Sequence, residues 1–550
     1  TRNESSAASD VYKRQIYRTG IMRSLFIGAS FLVLALNGLI YLVWPPVLWS
    51  LILMGPLILV GLMDMTQTRH SVLRNFPVVG HMRYFLELIS PEIRQYFIES
   101  DTSGTPFNRQ ERSVVYERAK NVRDTVPFGT VRDVYATGYE WVNHSLSPKH
   151  LDLDEVRVQV GGKDCTKPYS ASLLNISAMS YGALSENAVI ALNKGAKMGH
   201  FAHNTGEGSI SPYHQQGGDL IWQIGTGYFG CRTEDGKFNP DMFQEKSSQE
   251  QVKMIEIKLS QGAKPGHGGI LPAAKLTEEI AQIRSVPMGR DVNSPPGHTA
   301  FTTPLELVQF IKQLRELSGG KPIGFKLCVG KRREFLSICK AMLETGILPD
   351  FITVDGGEGG TGAAPLEFTN RIGTPLVEGL IFVHNSLVGF DLRNDIRIFA
   401  SGKITTGFDI IKRLAMGADL CYSARGMMMA LGCIQALKCN SNTCPVGVTT
   451  QDPGLMVGLV PEDKSVRVYN FQKNIVKSAC EIMGAMGLEN TDELKPWHLM
   501  RRTEAYEIRN YSEIYDFLNP GDLLNEPLPE SYARAVQASK AESFNDVHPS

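Results

Sequence analysis

"DGGEGGTGAAP" (residues 355–365) follows a short apolar run, and two more glycine-bearing turns, "SGKITTG" (401–407) and "SARGMMMALGC" (423–433), come after it. Each turn trails a candidate strand: 350–355 (DFITVD), 396–401 (IRIFAS) and 418–424 (ADLCYSA). Working back toward the N-terminus, 173–178, 200–204, 220–224, 254–259 and 322–328 read the same way, making eight strands. Amphipathic stretches lie between them; in "GFDIIKRLAMG" Ile411, Leu414 and Ala415 recur at helical spacing. Strands alternating with such helices favour a parallel β/α architecture. A doubly wound open sheet would alternate in the same way. Glycines clustered after the late strands favour a (β/α)8 TIM barrel, which commonly binds phosphate on the loops after strands 7 and 8.

Glycine lets the main chain approach a ligand closely, so Gly356, Gly357, Gly402 and Gly426 are candidate phosphate contacts, with Lys403 and Arg425 in the same turns. The competing reading is that these glycines only close tight corners. Lys326, in "GFKLCVG", sits at the end of the fifth strand, where a buried lysine needs an anion or an electron-rich ring beside it. A rim lysine paired with a carboxylate is the alternative. After the first strand, "SAMSYGALS" offers Ala178, Met179 and Ser180, small or slender enough for a flat ring to lie against the backbone; Gln223, in the third strand, joins the set. These residues point to flavin mononucleotide (FMN), with a sugar phosphate as competitor.

The chain has 550 residues, 43% hydrophobic and 21% charged, with 56 basic against 57 acidic side chains and a formal net charge of -1. That balance gives no field for nucleic acid, and none is expected as a partner. Nine cysteines without a pairing rhythm fit a reducing compartment. Three of them, Cys433, Cys439 and Cys444 in "GCIQALKCNSNTCPVG", fall within one loop after the last strand. Three thiolates so close on such a chain suit an iron–sulfur cluster; a zinc site completed from elsewhere and plain reduced thiols are the alternatives. His200 and His203 lie three apart in a strand, hence on opposite faces, and are expected to line or pack rather than share a metal.

Residues 1–20 form a polar leader, and 21–66 a transmembrane hairpin. Leu25 to Trp44 has only Ser30 and Asn37 polar, and Val47 to Met63 carries no charge, so two spans separated by Pro45 and Pro46 are expected. Lys13, Arg14, Arg18 and Arg23 precede them and Arg69, Arg74 and Arg83 follow, which puts both ends, and the catalytic domain, in the cytoplasm. The paired runs and the lack of a small-residue cleavage site argue against a signal peptide. Residues 67–165 read as a linker and collar, 166–455 as the barrel with its cysteine loop, and 456–550 as a C-terminal helical extension and tail.

In order along the chain, "SAMSYGALS", "HNTGEGS", "EIKLSQGAKPGHGG", "IRSVPMGRDVNSPPGH", "DGGEGGTGAAP" and "GCIQALKCNSNTCPVGVTTQ" resemble motifs of the FMN-binding synthase domain of glutamate synthases, over roughly 165–455. The resemblance implies an FMN barrel with a 3Fe-4S cluster on Cys433, Cys439 and Cys444. It also implies reduction of an imino acid formed from 2-oxoglutarate and ammonia or an amine. By the same likeness Glu207, Lys264 and Arg284 would hold the oxo acid, two cations for its two carboxylates. Structural ion pairs at the rim are the alternative for each.

Two departures from the family pattern bear on the substrate. His267 stands where an acidic residue is expected in "KPGHGG", and Tyr228 where the larger enzymes tend to have arginine. No cysteine precedes Cys165, so no amidotransferase nucleophile is expected ahead of the barrel and ammonia would come from outside. No G-x-G-x-x-G nicotinamide element follows a strand, so an electron-donor protein such as ferredoxin, or a membrane donor, is expected. An N-methylglutamate synthase-like enzyme on another oxo acid, an electron-transfer subunit without substrate, and a homo-oligomeric state all stay open.

Overall fold

The computed structural model describes residues 4–123, 125–152 and 156–545, with side chains from residue 22 onward. It divides into two compact units, one ending at Gln110 and one beginning at Glu111.

The larger unit is built on a closed barrel of eight parallel strands: β1 (Leu174–Ile176), β2 (His203–Asn204), β3 (Leu220–Ile224), β4 (Val252–Lys258), β5 (Ile323–Leu327), β6 (Phe351–Asp355), β7 (Arg397–Ser401) and β8 (Leu420–Ser423). Neighbours in sequence are neighbours in the sheet, and β8 returns to β1 with Cys421 opposite Leu174 and Ser423 opposite Ile176. This is the TIM barrel that the sequence led us to expect, and all eight candidate segments form its strands. A parallel strand covered on both faces reads as a nearly continuous apolar run, and every residue of β3, β5, β6 and β8 is buried.

Several polar side chains inside the barrel converge on one acid. The buried Glu256 carboxylate accepts from Asn204 Nδ2 at 2.8 Å, Gln223 Nε2 at 2.6 Å and Thr353 Oγ1 at 2.6 Å. Without such donors, an acid at this depth would be costly. Phe351 and Phe399, which share the inward face with Thr353, stack at 4.5 Å between centroids inside the barrel.

The outer helices start where the sequence caps them. Ser185 accepts from Ala188 N at the head of Glu186–Gly199, and Thr303 with Glu306 and Thr406 with Asp409 form capping boxes for Pro304–Leu317 and Gly407–Ala415. The 25-residue helix Pro461–Ala485 packs against both Glu186–Gly199 and Gly407–Ala415, so it closes the ring between the first and last of the preceding helices. It lies in the stretch read as a C-terminal extension. The cysteine loop is therefore an excursion between β8 and the helix that completes the barrel.

In the smaller unit, one 38-residue helix, Glu4–Tyr41, takes in part of the stretch read as a polar leader, whose residues 1–3 lie outside the described residues. A short 3-10 turn, Pro45–Trp49, leads into Ser50–Thr66. Met22–Tyr41 and Pro45–Thr66 are long and apolar enough to cross a membrane. Asn37 and Ser50, polar residues facing each other across this hairpin, pair through Ser50 Oγ donating to Asn37 Oδ1 at 2.5 Å. Beyond the hairpin come the α-helix Gly80–Ile93 and its π-helical continuation Arg94–Ile98.

Candidate active site at the barrel mouth

The C-terminal ends of β1 to β4 converge on one carboxylate. Glu207 follows β2, and its side chain lies in a slot between two glycines. A Cβ on Gly225 would come 2.5 Å from Glu207 Oε2, and one on Gly269 would come 2.4 Å from Oε1. Lys258, the last residue of β4, donates to Glu207 Oε1 at 2.7 Å. Burial alone would raise the Glu207 pKa, but the charges of Lys258, Lys264 and Arg284 outweigh it and hold the group below its ordinary value. Glu207 is therefore a carboxylate. The structure brings together the three residues expected to bind the oxo acid, around Glu207.

Their partners differ. Lys264 Nζ donates to the Ala363 carbonyl at 3.0 Å, and burial, helped by the charge of Lys258, brings its pKa down to about 8. Arg284 donates to the Tyr181 carbonyl at 2.9 Å and to Ser180 Oγ at 3.3 Å, and lies over the Phe229 ring at 5.3 Å. Its Nε is buried without a hydrogen-bond partner, and burial lowers its pKa to about 10, which leaves it charged. Among the described residues neither Lys264 nor Arg284 has a carboxylate within ion-pair distance. Lys258 neutralises Glu207, so the pocket keeps two cations without anions.

Lys258 was missed in the sequence. It is the register partner of Lys326 on the adjacent strand, and the strand-end argument applied to Lys326 would have found it. Lys326 is paired with Asp355 at 3.3 Å, as the rim-lysine alternative holds; the same Asp355 oxygen accepts from Gly262 N at 2.8 Å. His298 tops this corner. Tyr228 Oη accepts from Thr299 N and Ala300 N, at 3.1 and 3.0 Å, and so gives its proton to His298 Nδ1 at 3.0 Å. His298 Nε2–H then donates to the Lys258 carbonyl at 2.9 Å. Burial brings the His298 pKa down to about 4, so the ring is neutral. His267 keeps to the surface of its own turn, Nδ1 lying 2.9 Å from the Gly268 carbonyl.

The candidate cofactor residues occupy the rest of the mouth. Gly206 (φ +64°) presses on the loop after β1, where a Cβ would meet Ser180 N at 2.7 Å and Met179 C at 2.9 Å; Ala178, Met179 and Ser180 thus form a backbone ledge packed against Gly206. Gln223 faces inward and donates to Glu256. Arg425, from the end of β8, reaches over to the loop after β6 and donates to the Glu358 carbonyl at 2.6 Å. Lys403, beside Gly402, sits at the end of β7 between them. Close packing accounts for three of the glycines: added Cβ atoms would strike Leu376 at Gly356, the Gly373 carbonyl at Gly357 and Ser423 Oγ at Gly426. Gly402 is less crowded, its nearest neighbour being Leu376 Cδ2 at 3.1 Å.

All nine cysteines are free thiols. Burial raises the Cys433 pKa to about 11, with the charges of Cys439 and Cys444 adding to the rise, so the three sulfurs feel one another. Burial would raise Cys444 too, but the Thr449 side chain and the backbone N–H groups of Thr449, Val446 and Val448 favour its thiolate and bring it below the ordinary value. Tyr116 donates to the Cys433 carbonyl at 2.7 Å. Lys275 Nζ joins this loop to the segment that follows the ledge, bonding the Ala183 carbonyl at 2.5 Å and the Cys439 carbonyl at 3.4 Å. Among the described residues no three His, Cys, Asp or Glu side chains converge as a single-ion site.

His200 caps the end of its helix in a left-handed conformation, while His203 points into the packing layer beside His214, rings 5.2 Å apart. A cavity of about 600 Å³ is lined by Tyr181, Glu279 and Gln451 among others.

A closed parallel barrel with two cations left without carboxylates at its mouth and a three-thiol loop after its last strand agrees with the resemblance to glutamate synthases. The family profile described as "conserved region in glutamate synthase" matches residues 130–489, and the chain belongs to that family. The glutamate synthase large subunit-like protein YerD of Bacillus subtilis is 38% identical over 494 residues, covering 82% of this chain and 93% of its own. An archaeal glutamate synthase [NADPH] of Methanocaldococcus jannaschii is 33% identical over 363 residues, covering 63% of this chain and 67% of its own. Among solved structures, a mutant flavocytochrome b2 with pyruvate bound shares 14% identity at a TM-score of 0.40, over 74% of this chain and 89% of that one. That likeness is too distant to carry an argument.

Proposed function

We propose that this chain is a membrane-anchored, FMN-dependent glutamate synthase-like enzyme that reduces the imino acid formed from 2-oxoglutarate and ammonia or an amine. The observation that carries this reading is the charge count at Glu207: one anion, Lys258 bonded to it, and Lys264 and Arg284 left over. Two buried cations without anions match a ligand with two carboxylates. Arg284 offers a planar fork to one and Lys264 a point charge to the other. Glu207, kept ionised, accepts a proton from the incoming amine or orients it.

FMN would be held by the ledge Ala178–Ser180, by Gln223 and Lys326, and by Gly356, Gly357, Gly402, Lys403, Arg425 and Gly426. The ledge and the Arg425 bridge fit such a flat, anionic group. Cys433, Cys439 and Cys444 would hold a 3Fe-4S cluster, and N–H groups directed at Cys444 favour the thiolate that ligates iron. When bound, these groups supply two-electron reduction of the imino carbon and one-electron delivery from a donor such as ferredoxin. Lys275 joins the cysteine loop to the segment that follows the ledge. The hairpin Met22–Thr66 would anchor the chain, with Trp44 and Trp49 at the turn.

The test is anaerobic. Reduced enzyme is mixed with 2-oxoglutarate and ammonia, then with methylamine in its place, while flavin absorbance is followed. Reoxidation with ammonia supports the reading; with methylamine alone it points to the N-methylglutamate synthase-like alternative, and with neither to an electron carrier. Cys439→Ser should lose iron, sulfide and the paramagnetic signal of an oxidised three-iron cluster yet retain FMN. Zinc, or no metal, in the anaerobic wild type would remove the cluster from the proposal. Deleting residues 1–68 should release the protein from the membrane fraction.

A further inference from the structure

The segment just after the hairpin carries an exposed apolar face. Along residues 80–98, at about 100° per residue, Met82, Phe85, Leu86, Ile89, Ile93 and Phe97 fall within an arc of roughly 120°. Met82 is 59% exposed, Phe85 55%, Leu86 50% and Phe97 84%. Arg83, Glu87 and Arg94 take the other side, Arg83 Nε meeting Glu87 Oε1 at 2.8 Å. Runs of large exposed apolar side chains on one helical face mark an interaction surface.

The start of this helix is fixed at one level. Asp64, buried near the end of the second apolar helix, accepts from Val78 N at 2.9 Å and lies 2.9 Å from His81 Nε2. The amphipathic helix therefore departs from the depth at which the second apolar helix ends. Between residues 67 and 98 four arginines (Arg69, Arg74, Arg83, Arg94) stand against two glutamates (Glu87, Glu92) before Glu99. A helix polar on one face, apolar on the other, mildly basic and tied to the end of a span has the properties of one that lies in the membrane interface.

We infer that residues 80–98 lie flat on the lipid surface, the Met82–Phe97 face among the upper acyl chains and Arg83 and Arg94 toward the headgroups. This rests on the hairpin's being the membrane anchor, and it adds a second contact that holds the chain close to the bilayer on the side where the barrel follows in sequence.

The test uses the full chain in vesicles of phosphatidylcholine and phosphatidylglycerol, with lipids brominated near the top of the acyl chain. Phe97→Trp on the apolar face is compared with Arg94→Trp on the polar face, after subtracting the signal of the parent's five tryptophans. The Phe97→Trp signal should be quenched about threefold more strongly than that of Arg94→Trp. Adding Leu86→Glu and Ile93→Glu should abolish the difference while the protein still floats with the vesicles. Equal quenching at the two positions in floating protein would overturn the inference and leave the anchor standing. So would a Phe97→Trp signal that is blue-shifted but insensitive to brominated lipid, which would place a second copy or another protein on this face. Protein that fails to float would overturn the anchor, and with it this inference.

Discussion

The two halves of the barrel mouth use charge differently. After β1 to β4, Glu207 is matched by Lys258, and Lys264 and Arg284 are left without carboxylate partners. After β5 to β8, Lys326 meets Asp355 and Arg425 reaches the loop that holds Glu358. Unbalanced buried charge is costly and persists where a ligand completes it; balanced charge serves to shape a site. On the proposed function, the first half would receive the ionic substrate, and the second would carry the flavin on charges that already meet partners within the protein.

The strongest way to break this contrast is to leave Glu207 without its partner. Lys258→Met should destabilise the fold by about 3 kcal/mol, the low end for breaking a buried pair, because Lys264 and Arg284 remain nearby. Denaturant unfolding measures it, and an unchanged midpoint would mean that Glu207 does not depend on Lys258. Next in size, Arg284→Ala should weaken 2-oxoglutarate binding by about 1.5–3 kcal/mol, the value of a charged hydrogen-bonded contact, with the flavin spectrum intact. Calorimetric affinity equal to wild type would reassign Arg284 to support of the loop at Tyr181.

A smaller effect is expected from pH. With its pKa brought down to about 8, Lys264 is charged below that pH and loses its proton above it. Affinity for 2-oxoglutarate should be level below about pH 8 and fall above it by up to about tenfold per unit, until the higher pKa of the bound state is passed. Lys264→Arg should flatten the curve; a profile unchanged by that substitution would mean that another group is titrating. Least affected should be oxo acid binding in Lys326→Met, within about twofold of wild type, since Asp355 keeps its Gly262 N–H and the charge of Arg425. A loss as large as that of Arg284→Ala would erase the distinction between the two halves.

The strands were legible because a closed parallel sheet demands apolar runs at each of eight places, and β3 and β6 supply them almost without a break. Glu207, Lys264 and Arg284 were legible through local motifs, and the structure gathers them. Lys258 was not: its importance comes from register with Lys326 and from the glycine slot that aims Glu207 at it, neither of which is local in sequence. The glycines after β6 to β8 were only half legible, since Gly356, Gly357 and Gly426 are required by close packing whether or not a ligand is present. The closing helix Pro461–Ala485 was concealed by the excursion that separates it from β8.

That late helix has a consequence for synthesis. Its partner Glu186–Gly199 buries Ala188, Val189, Ala191, Leu192 and Ala196, and at Gly195 the two helices approach so closely that a Cβ would come 2.8 Å from Val468. Residues 199 and 485 are 286 apart, so at 5–20 residues per second the partner is translated roughly 15–60 s before its cover is complete. Throughout that interval the seam at β1 and β8 cannot be sealed from outside. The nascent barrel therefore presents an apolar wall during that time, and a ribosomal pause anywhere between residues 199 and 485 would lengthen the exposure by its own duration.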